Sequence, residues 1–134
     1  MKRTFVDANV LIAAACGTDA VATRAMEVLD SQDRVFVTSD FVRLEVLPKP
    51  TFHRRAQVAF YDEFFREVRD TVSSTRELVQ EAFDEAVAAG LSAIDALHVA
   101  AAKRSGAEEL VTAEKPTKPM FRVSDLRVVS IAVE

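Results

Sequence analysis

One cysteine, three glycines and four prolines are all that 134 residues contain of the residue types that staple or punctuate a chain. Cys16 alone cannot close an internal disulfide, which fits a reducing, cytoplasmic setting. So few glycines and prolines exclude collagen-like and low-complexity chains. No stretch approaches the ~18 apolar residues of a membrane-spanning helix, so no membrane partner is expected. Excess positive charge is also missing: 17 Lys plus Arg stand against 21 Asp plus Glu, a formal charge of −4. Such a balance gives no bulk attraction to nucleic acid, so any contact with a polyanion must come from local bases.

What remains is the composition of an ordinary globular protein, 49% hydrophobic and 28% charged, and this excludes disorder as the main state. The length predicts a single domain over residues 1–134. Short β-prone runs occur at Thr4–Val6, Val35–Thr38, Thr71–Ser73, Leu110–Thr112 and Arg127–Val133, with helical patterns between most of them. Thr18 or Asp19 can cap a helix to about Asp30, and Ser39 can cap one that Pro48 stops. Phe52, Ala56, Phe60 and Phe64, at steps of four, predict one helix opened by Thr51. Ser74 and Glu77 read as a capping box, followed by a single apolar stripe of Leu78, Val79, Ala82, Phe83, Ala86 and Val87 that ends at Gly90. Ser92 opens the last helix. Strands alternating with helices predict an α/β, three-layer sandwich: a central parallel sheet of four to five strands with helices on both faces. In such sheets ligands bind beyond the carboxyl ends of the strands.

Four acids interrupt apolar or small-residue contexts: Asp7 after the first run, Glu45 within Val42–Leu47, Asp95 within Leu91–His98, and Glu114 just past Thr112. Asp7 and Asp95 could each serve as helix caps, and Glu45 as a half-exposed helix residue. Converging at one sheet edge, the four would repel one another, and a divalent cation relieves that repulsion. Mg²⁺ and Mn²⁺ take hard oxygen ligands, whereas one Cys and two separated histidines, His53 and His98, argue against zinc. His98 lies one turn after Asp95 and could orient it or contact phosphate. The rings between Phe52 and Phe65 outnumber what one helix face needs, which points to a subunit interface or to core.

The order strand–Asp7-x-Asn9-x-Leu11-Ile12, Ser39-led helix with Glu45, Asp95-Ala96-Leu97-His98-x-Ala100-Ala101-Ala102, then strand–Thr112-x-Glu114 resembles a PIN domain, and most of all the small VapC-type toxin ribonucleases. The resemblance spans Phe5 to Val129. It implies a Mg²⁺- or Mn²⁺-dependent endoribonuclease that hydrolyses RNA phosphodiester bonds, forms a homodimer and pairs with a cognate antitoxin protein. Carried over by position, Asp7, Glu45 and Asp95 match the core acids. Asn9 matches a polar companion of the first acid, and Thr112 the residue before the fourth. Glu114 stands where the family usually has Asp. His98, Lys115 and Lys118 are read as supporting or substrate-facing residues. Two other readings compete. A PIN-like RNA-binding module with weakened catalysis is supported by the Glu114 departure. A receiver-like phosphoacceptor domain would want paired acids after the first strand, and Asp7 is followed by Ala8.

Overall fold

A computed structural model describes residues 1–133. The chain runs β1 (Lys2–Val6), α1 (Ala8–Cys16), α2 (Ala20–Leu29), β2 (Arg34–Ser39), α3 (Asp40–Val46), α4 (Pro48–Phe52), α5 (Gln57–Glu67), β3 (Asp70–Val72), α6 (Arg76–Ala89), α7 (Ala93–Arg104), β4 (Glu109–Thr112) and β5 (Arg127–Ser130), with a 3₁₀ turn at Pro119–Arg122. All four strand pairings are parallel, and the strand order is β3-β2-β1-β4-β5. From β1 to β3 the chain steps one way across the sheet, then returns past β1 to β4. Right-handed crossovers therefore send α1–α5 to one face and α6 and α7 to the other, giving the expected three layers. The order reverses between β1 and β4, which makes their carboxyl ends the topological switch point.

Hydrophobic burial centres on the middle strands. Phe5, Val6, Val37, Leu110 and Val111 are fully buried, as are Val99, Ala101 and Ala102 of α7. The small-residue run of α7 lets that helix lie close on the sheet, which fixes where its first turn, with Asp95, meets the edge.

Several local expectations need correction. The four-residue spacing from Phe52 to Phe64 is broken: Pro48 starts α4 at its first position, and the chain leaves helical geometry at Arg54, φ 53°, before α5 begins. Tyr61 is buried and Phe60, Phe64 and Phe65 pack against the core, so these rings mainly fill it, and Phe52 alone of the set is widely exposed. The cap of α6 is Thr75, whose Oγ1 accepts from the Leu78 N–H at 3.1 Å, while the Ser74 N–H donates to Asp40 Oδ2. The single stripe splits as well. Leu78, Ala82 and Ala89 are buried, but Val79, Phe83 and Val87 are 53%, 63% and 71% exposed. Neighbouring residues lie about 100° apart around a helix, so the paired positions span two faces. Gly90 does end α6, in the left-handed conformation that favours glycine.

Candidate active site

Asp7 follows β1 at the switch point, and its N–H donates to the Val111 carbonyl of β4 at 2.8 Å. It occupies the N-cap position of α1 yet makes no side-chain cap bond. Its carboxylate instead crosses to β4, where Oδ2 accepts from Thr112 Oγ1 at 2.9 Å. Asn9 completes the junction: its Oδ1 accepts from the Ala113 N–H at 2.9 Å and its Nδ2 donates weakly to Thr112 Oγ1 at 3.4 Å. Thr112 Oγ1 also accepts from the Glu114 N–H at 3.1 Å. The two polar companions read from the sequence thus fix the first acid and the end of β4.

Ser39, the last residue of β2, caps α3 through its hydroxyl, so α3 begins at the same edge. Glu45 lies on this helix with its side chain 36% exposed and hydrogen-bonds the Nε2 of His98. His98 is fully buried on α7, and its Nε2 also stands 3.7 Å from Asp7 Oδ1. Asp95 lies one turn earlier on α7, behind a Ser92 that makes no side-chain cap bond. Neither Asp7 nor the Ser92–Asp95 pair therefore shows the capping geometry that would explain the acids away.

Electrostatics sets this corner apart. Burial drives the Asp7 pKa above the usual aspartate value. His98 and the Thr112 bond pull it down, the charges of Asp95 and Glu45 push it up, and the net direction is upward. Among the described residues no lysine or arginine forms a salt bridge with Asp7, Glu45, Asp95 or Glu114. One donor atom each from Asp7, Glu45 and His98 fall within 4.8 Å of one another. Ligands bound to one Mg²⁺ at about 2.1 Å lie up to about 4.2 Å apart, so small movements would bring the carboxylates onto one cation. The donor set is rich in carboxylate oxygen, as Mg²⁺ and Mn²⁺ require.

A model of the PIN domain matches residues 4–116. The chain belongs to the PIN domain family. Solved structures share its fold over nearly the full length. A toxin–antitoxin complex from Klebsiella pneumoniae aligns at a TM-score of 0.70 with 19% identity, covering 96% of this chain and 97% of that one. VapC20 of Mycobacterium tuberculosis, described as a sarcin-ricin loop cleaving toxin, aligns at 0.67 with 21% identity, covering 92% and 98%. VapBC2 from Rickettsia felis bound to promoter DNA aligns at 0.67 with 14% identity, covering 96% and 98%. No curated protein sequence matches the chain.

Within this PIN domain the four acids do not converge equally. Glu45 reaches Asp7 through His98, and Asp95 is close enough for its charge to act on Asp7. Both Asp95 and Glu114 stand outside the 4.8 Å cluster. The Glu114 backbone is held at both ends, its N–H by Thr112 and its carbonyl by a 2.6 Å bond from Ser130 Oγ. Lys115 and Lys118 follow on an exposed turn closed by a 3.0 Å bond from the Lys118 N–H to the Lys115 carbonyl. Ser130 escaped the reading of the sequence: a serine ending the last strand carries no signal until β5 is seen beside β4.

Proposed function

We propose that this PIN domain is a Mg²⁺- or Mn²⁺-dependent endoribonuclease, the toxin of a toxin–antitoxin pair. The observation that carries the reading is Asp7: a buried carboxylate at the switch point, not used as a cap, facing two further acids with no lysine or arginine to neutralise them. A bound divalent ion lowers the pKa of its water and neutralises phosphate charge. Asp7, Glu45 and Asp95 would hold the cation, with Glu114 in support. Asn9, Thr112 and His98 fix the acids. Lys115 and Lys118 draw the RNA backbone to the edge. No side chain serves as nucleophile. The likeness to a toxin that cleaves the sarcin-ricin loop supports RNA as the substrate class.

The complexes among its structural neighbours support an antitoxin protein as partner. A hollow of about 800 Å³, lined in part by Arg43, Leu44, Pro48 and Phe52, runs along the helix that carries Glu45 and offers such a protein a seat. A second copy of the chain is the partner for the exposed ridge of α6, because a ridge centred on Phe83 can pair with itself across a twofold axis.

The test is cleavage of a mixed RNA pool in Mn²⁺, with circular dichroism to confirm folding. Asp7→Asn and Asp95→Asn each abolish cleavage, Glu45→Gln is severe, and Glu114→Gln is the mildest of the four. Full activity in Asp95→Asn, or cleavage that survives EDTA, rejects the reading.

A further inference from the structure

We propose that His98 is a positioning residue: its Nε2–H holds Glu45 against Asp7, so that a cation meets two carboxylates already ordered. The inference rests on the metal-dependent reading above and adds to it the device that assembles the site.

His98 is fully buried, its ring tilted against Phe5 with centroids 5.9 Å apart. Its Nδ1 is buried without any hydrogen-bond partner. A proton on that atom would be orphaned in an apolar setting, which is costly. Glu45 offers Nε2 a carboxylate oxygen, which accepts, so Nε2 is the ring nitrogen that donates. That atom bonds Glu45 and lies 3.7 Å from Asp7, between the two acids.

The same observation argues against His98 as a metal ligand. A ligating histidine passes its other ring N–H to an acceptor, and Nδ1 has none. Glu45 needs the help. It is a long side chain on a seven-residue helix, more exposed than Asp7, and fixing it costs rotamer freedom. Rigid α7, packed on the sheet, supplies the anchor. An ionised carboxylate has about four lone-pair sites. Spending one on His98 leaves the rest of Glu45 for the cation.

Two measurements test this. Without metal or RNA, long-range ¹H–¹⁵N spectra of the imidazole should place the His98 proton on Nε2, with a resonance that moves on Glu45→Gln. A proton on Nδ1, or a resonance indifferent to Glu45→Gln, overturns the proposal whatever the enzyme does. Calorimetric titration of Mn²⁺ into the RNA-free protein gives the second readout. His98→Phe keeps the packing and loses the donor, and should weaken Mn²⁺ binding about 10-fold or more. His98→Gln restores an N–H donor and should recover most of that loss. In a Glu45→Gln background, His98→Phe should change nothing further. For RNA cleavage, kcat falls in His98→Phe while KM is kept. His98→Phe binding Mn²⁺ as the wild type does, or folded His98→Gln binding as weakly as His98→Phe, overturns the proposal. If instead wild type and Asp7→Asn bind Mn²⁺ alike, it is the underlying metal-site reading that fails.

Discussion

Asp7 illustrates how a single residue can be retained against stability. An acid whose pKa is raised on folding holds its proton more tightly in the folded state than in the unfolded one. Stability therefore falls as pH rises from the ordinary aspartate range through the raised value. At neutral pH the ionised, buried group destabilises the fold, and Asp7→Asn removes that cost while sparing the geometry. We expect Asp7→Asn, dead in RNA cleavage, to melt about 3–5 °C higher than the wild type in EDTA at pH 7.5, which corresponds to about 1 kcal/mol. The gap should close as the pH is lowered toward the ordinary aspartate value of 3.8. Thermal melts across that range check it, and a variant less stable than the wild type at pH 7.5 would count against the account. Asp7 and Asp95 stood out in the sequence as candidates because an acid in an apolar context has few reasons to be there. The Glu45–His98 bond was not legible, since its partners are 53 residues apart and meet only once α3 and α7 share the edge.

At the scale of elements, periodicity served well wherever one face is buried and misled where two faces are apolar. The strands and the helices α2 and α7 lie within a few residues of where the pattern puts them. On α6 the same hydrophobic count hid an inner face of Leu78, Ala82 and Ala89 and an outer ridge of Val79, Phe83 and Val87. A sequence records that a residue is apolar, not which neighbour covers it. The ridge, rather than the aromatic set of α5, is thus the surface to which the homodimer reading attaches. Phe83→Asp should place a charge at the centre of the ridge without touching the core, since Phe83 is 63% exposed. Light scattering at micromolar concentration should then show the wild type as a dimer and the variant as a monomer. Its melting temperature when monomeric should lie within a few degrees of the wild-type value, as for other surface substitutions. A wild type that is monomeric throughout that range removes the homodimer.

Across the whole molecule, two buried acids at opposite edges of one sheet sit in opposite electrostatic settings. Asp7 lies at the carboxyl edge, where among the described residues no lysine or arginine forms a salt bridge with it. Glu109 opens β4 at the other edge, 1% exposed, where Thr4 Oγ1 donates to it at 2.7 Å, Arg34 Nε at 2.7 Å, and Lys2 Nζ stands 3.7 Å away. Burial pushes its pKa up, but the bonds from Arg34 and Thr4 and the charges of Arg34 and Lys2 together outweigh it, and the net direction is down. The network ties the starts of β1, β2 and β4, so it belongs to the fold. Because the folded pKa is depressed, its stabilisation is complete above the ordinary glutamate value of 4.5 and is lost as pH falls through the lower folded value. Glu109→Gln breaks the pair and leaves Arg34 short of its partner, a loss of about 3 kcal/mol at neutral pH, toward the low end for buried pairs because Lys2 and Arg34 still reach water. Urea unfolding of wild type and variant from pH 7 to 3 should show that deficit constant down to about pH 5 and shrinking below 4.5, where the wild-type carboxylate takes up its proton. A deficit that stays the same at pH 3 as at pH 7 would assign the loss to packing and remove the ionic account of this edge.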